Sequence, residues 1–174
     1  MINPLPDLLA AAALARREGR SHDALVQLEQ ALPLARADGA MLPPVLKALG
    51  QVERDLGNLA AAVRYYEEAA ALCRGDADQL VLAHTVRHLG DVLFEAGDLA
   101  RAEACLAEAL QIYRGQAQGA SLDLANASRS MALLREARGD KHAAHGLWEA
   151  ALGFYDAAGV MAGVEECRNR LGIH

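Results

Sequence analysis

The chain has 174 residues, of which 53% are hydrophobic and only 4% aromatic, so its core must be packed mainly by small and aliphatic side chains. Its formal net charge of −6 argues against general nucleic-acid binding, which needs a cationic surface that releases counterions from phosphates. The three cysteines are far apart and form no CxxC pair, which argues against a disulfide or zinc framework and favours buried thiols in a reducing compartment.

The N-terminal region contains a short apolar run at residues 8–15. Asp7 precedes this run and Arg16 and Arg17 follow it, which is the reverse of the charge order in a secretory signal peptide. No apolar stretch reaches the roughly 18 residues that a membrane span requires. The sequence therefore predicts a first helix here, in a cytoplasmic protein that has no membrane partner.

An internal repeat follows along the chain. A glycine is followed after five and after twelve residues by alanine, and this pattern occurs four times at intervals of 38, 40 and 42 residues. The four units are Gly19 with Ala24 and Ala31, Gly57 with Ala62 and Ala69, Gly97 with Ala102 and Ala109, and Gly139 with Ala144 and Ala151. A period in this range indicates a stack of supersecondary units that share one continuous core.

Each glycine divides its unit into two helices. Before Gly57, two prolines suit a helix start, and apolar residues then recur at helical spacing; after it, residues 59–73 form a second amphipathic helix. Glycine permits the left-handed conformation that ends a helix. The next residue is polar in every unit, and Asn58, Asp98 and Asp140 suit a turn or an N-cap, whereas Arg20 does not.

The same division predicts hairpins over residues 5–38, 42–75, 78–115 and 119–157, followed by a single helix over residues 160–172. The linkers are too short to separate domains, so we expect one all-α domain over residues 1–174. The chain has no nucleophile motif, no phosphate-binding glycine loop and no paired catalytic carboxylates, so we expect no enzymatic activity and no catalytic residues.

The residues at two positions of the repeat form a pattern that resembles a known family. The first helices carry Leu49-Gly50 and Leu89-Gly90, and more weakly Ala11-Ala12 and Met131-Ala132. The second helices carry a large residue between the two alanines, namely Leu28, Tyr66, Leu106 and Trp148. Together these residues resemble the tetratricopeptide repeat. The resemblance implies a right-handed α-solenoid of four hairpins with a C-terminal capping helix, in which the small first-helix residue packs against the alanines and the large residue fills the gap to the next repeat.

The chain departs from the usual repeat at two positions. The proline that usually follows the second helix is replaced by Arg36, Arg74, Arg114 and Asp156. The second helices are therefore expected to run about one turn longer, which accounts for a period near 40 rather than about 34 and resembles the variants of kinesin light chains and bacterial signalling regulators. The aromatic residue usual late in the first helix is replaced by Ala15, Glu53, Leu93 and Arg135.

The resemblance further implies that the first helices line a concave groove that binds segments of partner proteins. The first-helix residues that are offset from the core positions are Leu9, Ala13, Arg16, Lys47, Gln51, Arg54, His84, Arg87, His88, Asp91, Phe94, Asn126, Arg129, Ser130, Leu133, Asn169 and Arg170. Lys47, Arg87 and Arg129 occupy equivalent places, so an acidic segment is the favoured partner, with Phe94 and Leu133 as apolar anchors. Alternatively, these are solvated helix faces on which Arg87 pairs with Asp91.

Two more specific sites are not predicted. His84, His88 and Asp91 have a spacing that can hold a divalent metal, but Arg87 lies among them and no further ligand is evident, so neither a metal nor another cofactor is expected. Some members of the family bind a terminal carboxylate through a clamp of Lys, Arg and Asn. Lys47 fits this clamp, but the remaining positions hold Gln51, His88, Asn126 and Ser130, so the clamp does not carry over.

The sequence thus favours a non-enzymatic adaptor that binds another protein or peptide in its groove. Two alternatives stay open at this point. One is a regulatory sensor that responds to a small peptide or metabolite, and the other is a structural protein that forms homo-oligomers.

Overall fold

The structure is a computed structural model that describes residues 4–75, 78–116 and 121–173. The described residues form nine α-helices and no β-strand, which confirms the all-α helical repeat. In chain order these are α1 Leu5–Arg17, α2 Ser21–Asp38, α3 Leu42–Asp55, α4 Leu59–Cys73, α5 Gln79–Glu95, α6 Leu99–Arg114, α7 Ser121–Ala137, α8 Lys141–Ala157 and α9 Met161–Leu171. The chain forms two compact units, Met1–Asp78 and Gln79–His174, and a single domain over the whole chain stays a prediction.

The first unit contains α1 to α4. Within this unit α1 packs against α2, α2 against α3 and α3 against α4, and α1 also contacts α3. The core between these helices includes Leu5, Leu28, Val45 and Leu49, all with no exposed surface. Since α2 contributes both its repeat alanines to this core, it lies between the hairpin partner α1 and the following first helix α3.

The second unit contains α5 to α9. The helices pair as α5 with α6 and α7 with α8, α6 also packs against α7, and α9 packs against α8. The last of these contacts buries Trp148 and Tyr155 of α8 together with Val164 and Cys167 of α9. The single C-terminal helix therefore covers an apolar helix face, which is the role expected of a capping helix.

The repeat glycines adopt the left-handed conformation that the sequence indicated, with φ of 75° at Gly19, 81° at Gly57, 83° at Gly97 and 77° at Gly139. After each glycine the next amide donates a hydrogen bond to the carbonyl five residues earlier, which is the Schellman arrangement. The aspartates at 98 and 140 cap the following helix by accepting from the amides of residues 101 and 143, at 3.1 and 3.0 Å. The cap expected at Asn58 is wrong, because its amide group donates to Glu53 at 2.8 Å instead.

Close packing of small against large residues is present in both units. A Cβ atom at Gly50 would lie 2.8 Å from the ring of Tyr66, and one at Gly90 would lie 2.8 Å from Cγ of Leu106. The eight repeat alanines are at most 2% exposed. In these contacts the small first-helix residue packs against the large second-helix residue of its own hairpin, whereas the resemblance implied packing against the alanines.

Three details differ from the expectations. The second helices vary in length, from 15 residues in α4 to 18 in α2, where Pro33 lies inside the helix. Cys105 is only half-buried, whereas the other two cysteines are buried. The predicted start of the fourth hairpin, at residue 119, lies outside the described residues.

Candidate functional site

In the first unit, α1, α2 and α3 enclose a pocket of about 240 Å³. We call it the first pocket, and the residues that line it are Leu9, Ala12, Ala13, Arg16, Arg17, Leu28, Ala48, Gln51 and Val52. Four of these, Leu9, Ala13, Arg16 and Gln51, are residues that the sequence placed on the groove stripe. Their side chains therefore lie together around one apolar depression.

The polar rim of the first pocket centres on Asp55 at the end of α3. Arg16 donates from Nε to Oδ2 of Asp55 at 2.5 Å, and the Gln51 amide donates to Oδ1 at 3.1 Å. Arg17, which the sequence did not single out, is exposed and has no carboxylate partner among the described residues. The rim thus carries two arginines for one aspartate.

Lys47 and Arg54 lie on α3 outside the lining of the first pocket, and both are half-buried. Within the part of the chain that the structure describes, no carboxylate lies within ion-pairing distance of Lys47. Its ammonium group is therefore available to an anionic partner.

In the second unit, Arg87 is an ion-paired residue. It donates to Asp91 at 3.0 Å, one turn further along α5, and its other terminal nitrogen lies 2.9 Å from Nε2 of His88. The side chains of Arg87 and Asp91 are each only 13% exposed. The pairing that the four-residue spacing allowed is thus present, and the charge of Arg87 is balanced within its own helix.

Arg129 is balanced in the same way by a more distant residue. It donates from Nε to Glu166 of α9 at 2.7 Å, and this hydrogen bond raises the pKa of Arg129. Of the three cations at equivalent repeat positions, Arg87 and Arg129 therefore have carboxylate partners in this structure. The sequence could not indicate the second pairing, because Glu166 is 37 residues away and belongs to the capping helix.

In the second unit, a tyrosine near the end of α6 and of α8 contacts the polar residue that begins the groove stripe on the preceding first helix. The Tyr113 hydroxyl lies 3.1 Å from Nδ1 of His84, and the Tyr155 hydroxyl donates to Asn126 at 2.8 Å. Burial raises the pKa of Tyr113 to about 12. Nδ1 of His84 also lies 3.5 Å from a carboxylate oxygen of Asp123, so both protein groups approach the same imidazole nitrogen.

The remaining stripe residues of the second unit differ in accessibility. Phe94 and Leu133 are half-buried, so each keeps some apolar surface in contact with solvent. Ser130 is only 9% exposed, which contradicts its expected place on the open groove. The reason is that α7 packs against both α6 and α8 and also contacts α5, which leaves a narrower open face than the helical spacing suggested.

A second pocket of about 360 Å³ lies in the second unit, where side chains of α7, α8 and α9 meet. The residues that line it are Glu136, Lys141, Ala144, His145, Trp148 and Arg170. Glu136 accepts hydrogen bonds from the Trp148 indole and from Arg170, each at 2.8 Å. The Arg170 guanidinium lies 5.4 Å from the centre of the indole ring, within cation–π range. Trp148 is 1% exposed, which confirms that it fills the gap between α7 and α9.

Across residues 4–75, 78–116 and 121–173, no three His, Cys, Asp or Glu side chains form a group that could hold a metal ion. His84, His88 and Asp91 therefore do not converge on a common point, and they instead contact Tyr113, Arg87 and one another. No helix in the described part of the chain has the length and hydropathy needed to cross a membrane.

Comparison with known proteins gives a family match for part of the chain and a fold for most of it. Residues 44–115 match the family model described as tetratricopeptide repeat. The chain is similar in structure to BtubC (BKLC) from P. vanneervenii, with a TM-score of 0.74 and 20% identity over 95% of this chain and 77% of that one. It is also similar to MamA, with a TM-score of 0.70 and 20% identity over 90% of this chain and 81% of that one. No curated protein sequence matches the chain.

Proposed function

We propose that this chain, of which residues 44–115 match the tetratricopeptide repeat family, is a non-enzymatic module whose first helices bind a segment of another protein. The observation that carries this proposal is the first pocket, an apolar depression lined largely by side chains of α1 and α3. Six of its nine lining residues, all except Ala12, Leu28 and Val52, lie outside the buried core of the unit, so they can vary without disturbing the fold.

The size of the first pocket favours a protein partner over a metabolite. At about 240 Å³ it is smaller than the roughly 300–1,000 Å³ of pockets that enclose drug-sized ligands, but it has room for a large amino-acid side chain. A depression of this kind suits an anchor residue of a bound segment. This supports the adaptor over the regulatory sensor.

An acidic segment is the favoured partner. The cations that favour it lie in the first unit and are not the three equivalent residues Lys47, Arg87 and Arg129 taken together. Arg87 and Arg129 already have carboxylate partners, whereas Lys47 and Arg17 have none among the described residues. A carboxylate arriving at the first unit therefore has cations to pair with, and attraction of this kind steers a partner and selects against basic segments.

The free thiols of Cys73, Cys105 and Cys167 agree with a reducing, cytoplasmic location.

Site-specific photocrosslinking in the cells that produce the protein tests this function. A photoreactive amino acid replaces Ala13, which lines the first pocket, or Ala71, which is exposed on the second helix α4 and serves as the matched control. We expect a crosslinked protein adduct of defined mass from position 13 and none from position 71. Identical adducts at both positions, or no adduct at position 13, would contradict the proposal.

A further inference from the structure

The two pockets lie at the same position of the repeat but differ in chemistry. Arg16 and Glu136 each stand three residues before a turn glycine, and Leu28 and Trp148 each stand nine residues after it. A third pair of equivalent residues lies directly before a Leu-Gly pair in the helix that follows. This residue is Ala48 in the first unit but Arg170 in the second. Comparing the two sets shows which pocket can accept an apolar group.

In the second pocket, charged groups occupy the position over the large residue. Arg170 lies across the Trp148 ring and, like the indole, donates to Glu136. An apolar side chain entering there would have to break or desolvate this ion pair without replacing its hydrogen bonds. The second pocket is therefore unsuited to an apolar anchor.

In the first pocket, the corresponding position is the methyl group of Ala48. The accessible apolar surface comes from Leu9, Ala13 and Ala48, because the adjoining Leu28 and Val52 are buried. An apolar group placed there displaces water from apolar surface at no cost in hydrogen bonds. Its volume of about 240 Å³ suits one large side chain and excludes a longer apolar ligand. The first pocket can thus hold a single anchor residue.

The rim of the first pocket determines which residue should stand next to that anchor. Arg16 uses only Nε in its hydrogen bond to Asp55, so its terminal guanidinium nitrogens keep donors that no described residue accepts from. Arg17 adds a second cation that has no carboxylate partner among the described residues. In a chain with a net charge of −6, this corner carries two arginines against Asp55 alone, which complements a carboxylate.

We infer that the first pocket binds a segment of a partner protein in which one large apolar residue, Leu, Met or Phe in kind, is followed directly by an acidic residue. The apolar side chain enters the depression between α1 and α3, and the carboxylate pairs with Arg16 and Arg17. This inference rests on the proposed function and specifies the partner's chemistry.

The test is a titration of the isotope-labelled full chain, followed by amide chemical shifts, with three blocked hexapeptides as probes. They are acetyl-Gly-Ser-Leu-Glu-Ser-Gly-amide and the versions in which Lys replaces Glu or Ser replaces Leu. We expect the first peptide to shift the amides of Ala13 and Gln51, and the other two to bind about tenfold more weakly, because each lacks one of the two contacts. Equal binding of the lysine peptide would overturn the acidic requirement, and equal binding of the serine peptide would overturn the apolar anchor.

Two pairs of variants locate the binding. Ala13→Met should fill the pocket and abolish the shifts, whereas Ala11→Met, at an exposed position of the same helix outside the pocket, should leave them unchanged. Arg17→Glu should weaken the leucine–glutamate peptide about tenfold, whereas Arg64→Glu, which changes the net charge equally on α4, should not. If both members of a pair behave alike, the pocket is not the site.

The outcome also separates this inference from the proposed function. If no hexapeptide causes shifts up to about 10 mM while position 13 still crosslinks to a partner, the proposed function stands and this choice of segment is wrong. If light scattering finds a dimer that Ala13→Met dissociates, the occupant is a second copy of this chain, and the inference is overturned.

Discussion

At the scale of single residues, two glycines inside first helices determine how closely the hairpin partners approach. Gly50 and Gly90 have ordinary helical backbones, so their role is steric and not conformational. Each faces a large, fully buried or nearly buried side chain, Tyr66 or Leu106, with no room for a methyl group. The sequence identified both glycines as small packing positions, but it placed the alanines of the second helix against them and not the large residue.

Replacing Gly90 by alanine is expected to lower the free energy of unfolding by about 1–3 kcal/mol. The added Cβ would lie 2.8 Å from Cγ of Leu106 and 3.3 Å from the Ala102 carbonyl oxygen, in a core without free space. Gly146→Ala is the control, since its Cβ would meet nothing within 4 Å in the middle of α8, and it should raise stability by about 0.5–1 kcal/mol. Urea unfolding measures both, and the opposite order of stabilities would refute the steric role.

The residue-scale features that the sequence did not reveal are the ion pairs between distant residues. Arg16 with Asp55 and Arg129 with Glu166 join residues 39 and 37 positions apart. Helical periodicity gives the face on which a residue lies, but a partner on another helix depends on interhelical distance and rotation. Arg87 with Asp91 could be anticipated because both lie on one helix, one turn apart.

At the scale of elements, the hairpins were predictable and the first pocket was not. Each hairpin needs only its turn glycine and local apolar spacing, and the observed helix bounds follow the predicted ones closely. The pocket depends on how deeply Leu28 of α2 fills the space between α1 and α3, which no local pattern encodes. The side-chain cap expected at Asn58 is absent for a related reason, since its amide group donates to the Glu53 side chain at the end of the preceding helix.

Docking of α9 on α8 gives an element-scale prediction. A Cβ at Gly163 would lie 2.5 Å from Cγ of Tyr155, so Gly163→Ala should displace α9 and expose the nearby Trp148. This is the chain's only tryptophan and it is 1% exposed, so its fluorescence reports directly on the contact.

The expected result for Gly163→Ala is a red-shifted emission maximum and increased quenching by acrylamide. Gly153→Ala provides the comparison, because it adds the same atom to an exposed position of α8 with nothing within 4 Å. An unchanged emission spectrum in Gly163→Ala would mean that α9 tolerates the methyl group and that its packing is looser than described.

At the scale of the whole molecule, we propose that structure and recognition are divided between the two kinds of helix. The second helices contribute alanines and one large residue each to the cores of their units, and these side chains are almost fully buried. The first helices also contribute core residues, but most of the candidate binding residues on them remain half-buried or exposed. The fold could therefore be recognised from the repeated residues. The proposed site consists largely of residues that differ between repeats, and its form depends on their three-dimensional neighbours.

Hydrogen exchange of the full chain, with and without the segment that crosslinks at position 13, tests this division most directly. Binding on the first helices predicts slower amide exchange in α1 and α3, with exchange in α4 and α8 unchanged. Ala13→Met should remove the protection, and Ala11→Met should retain it. Protection that is strongest in α4 or α8 and absent from α1 and α3 would contradict the assignment of recognition to the first helices.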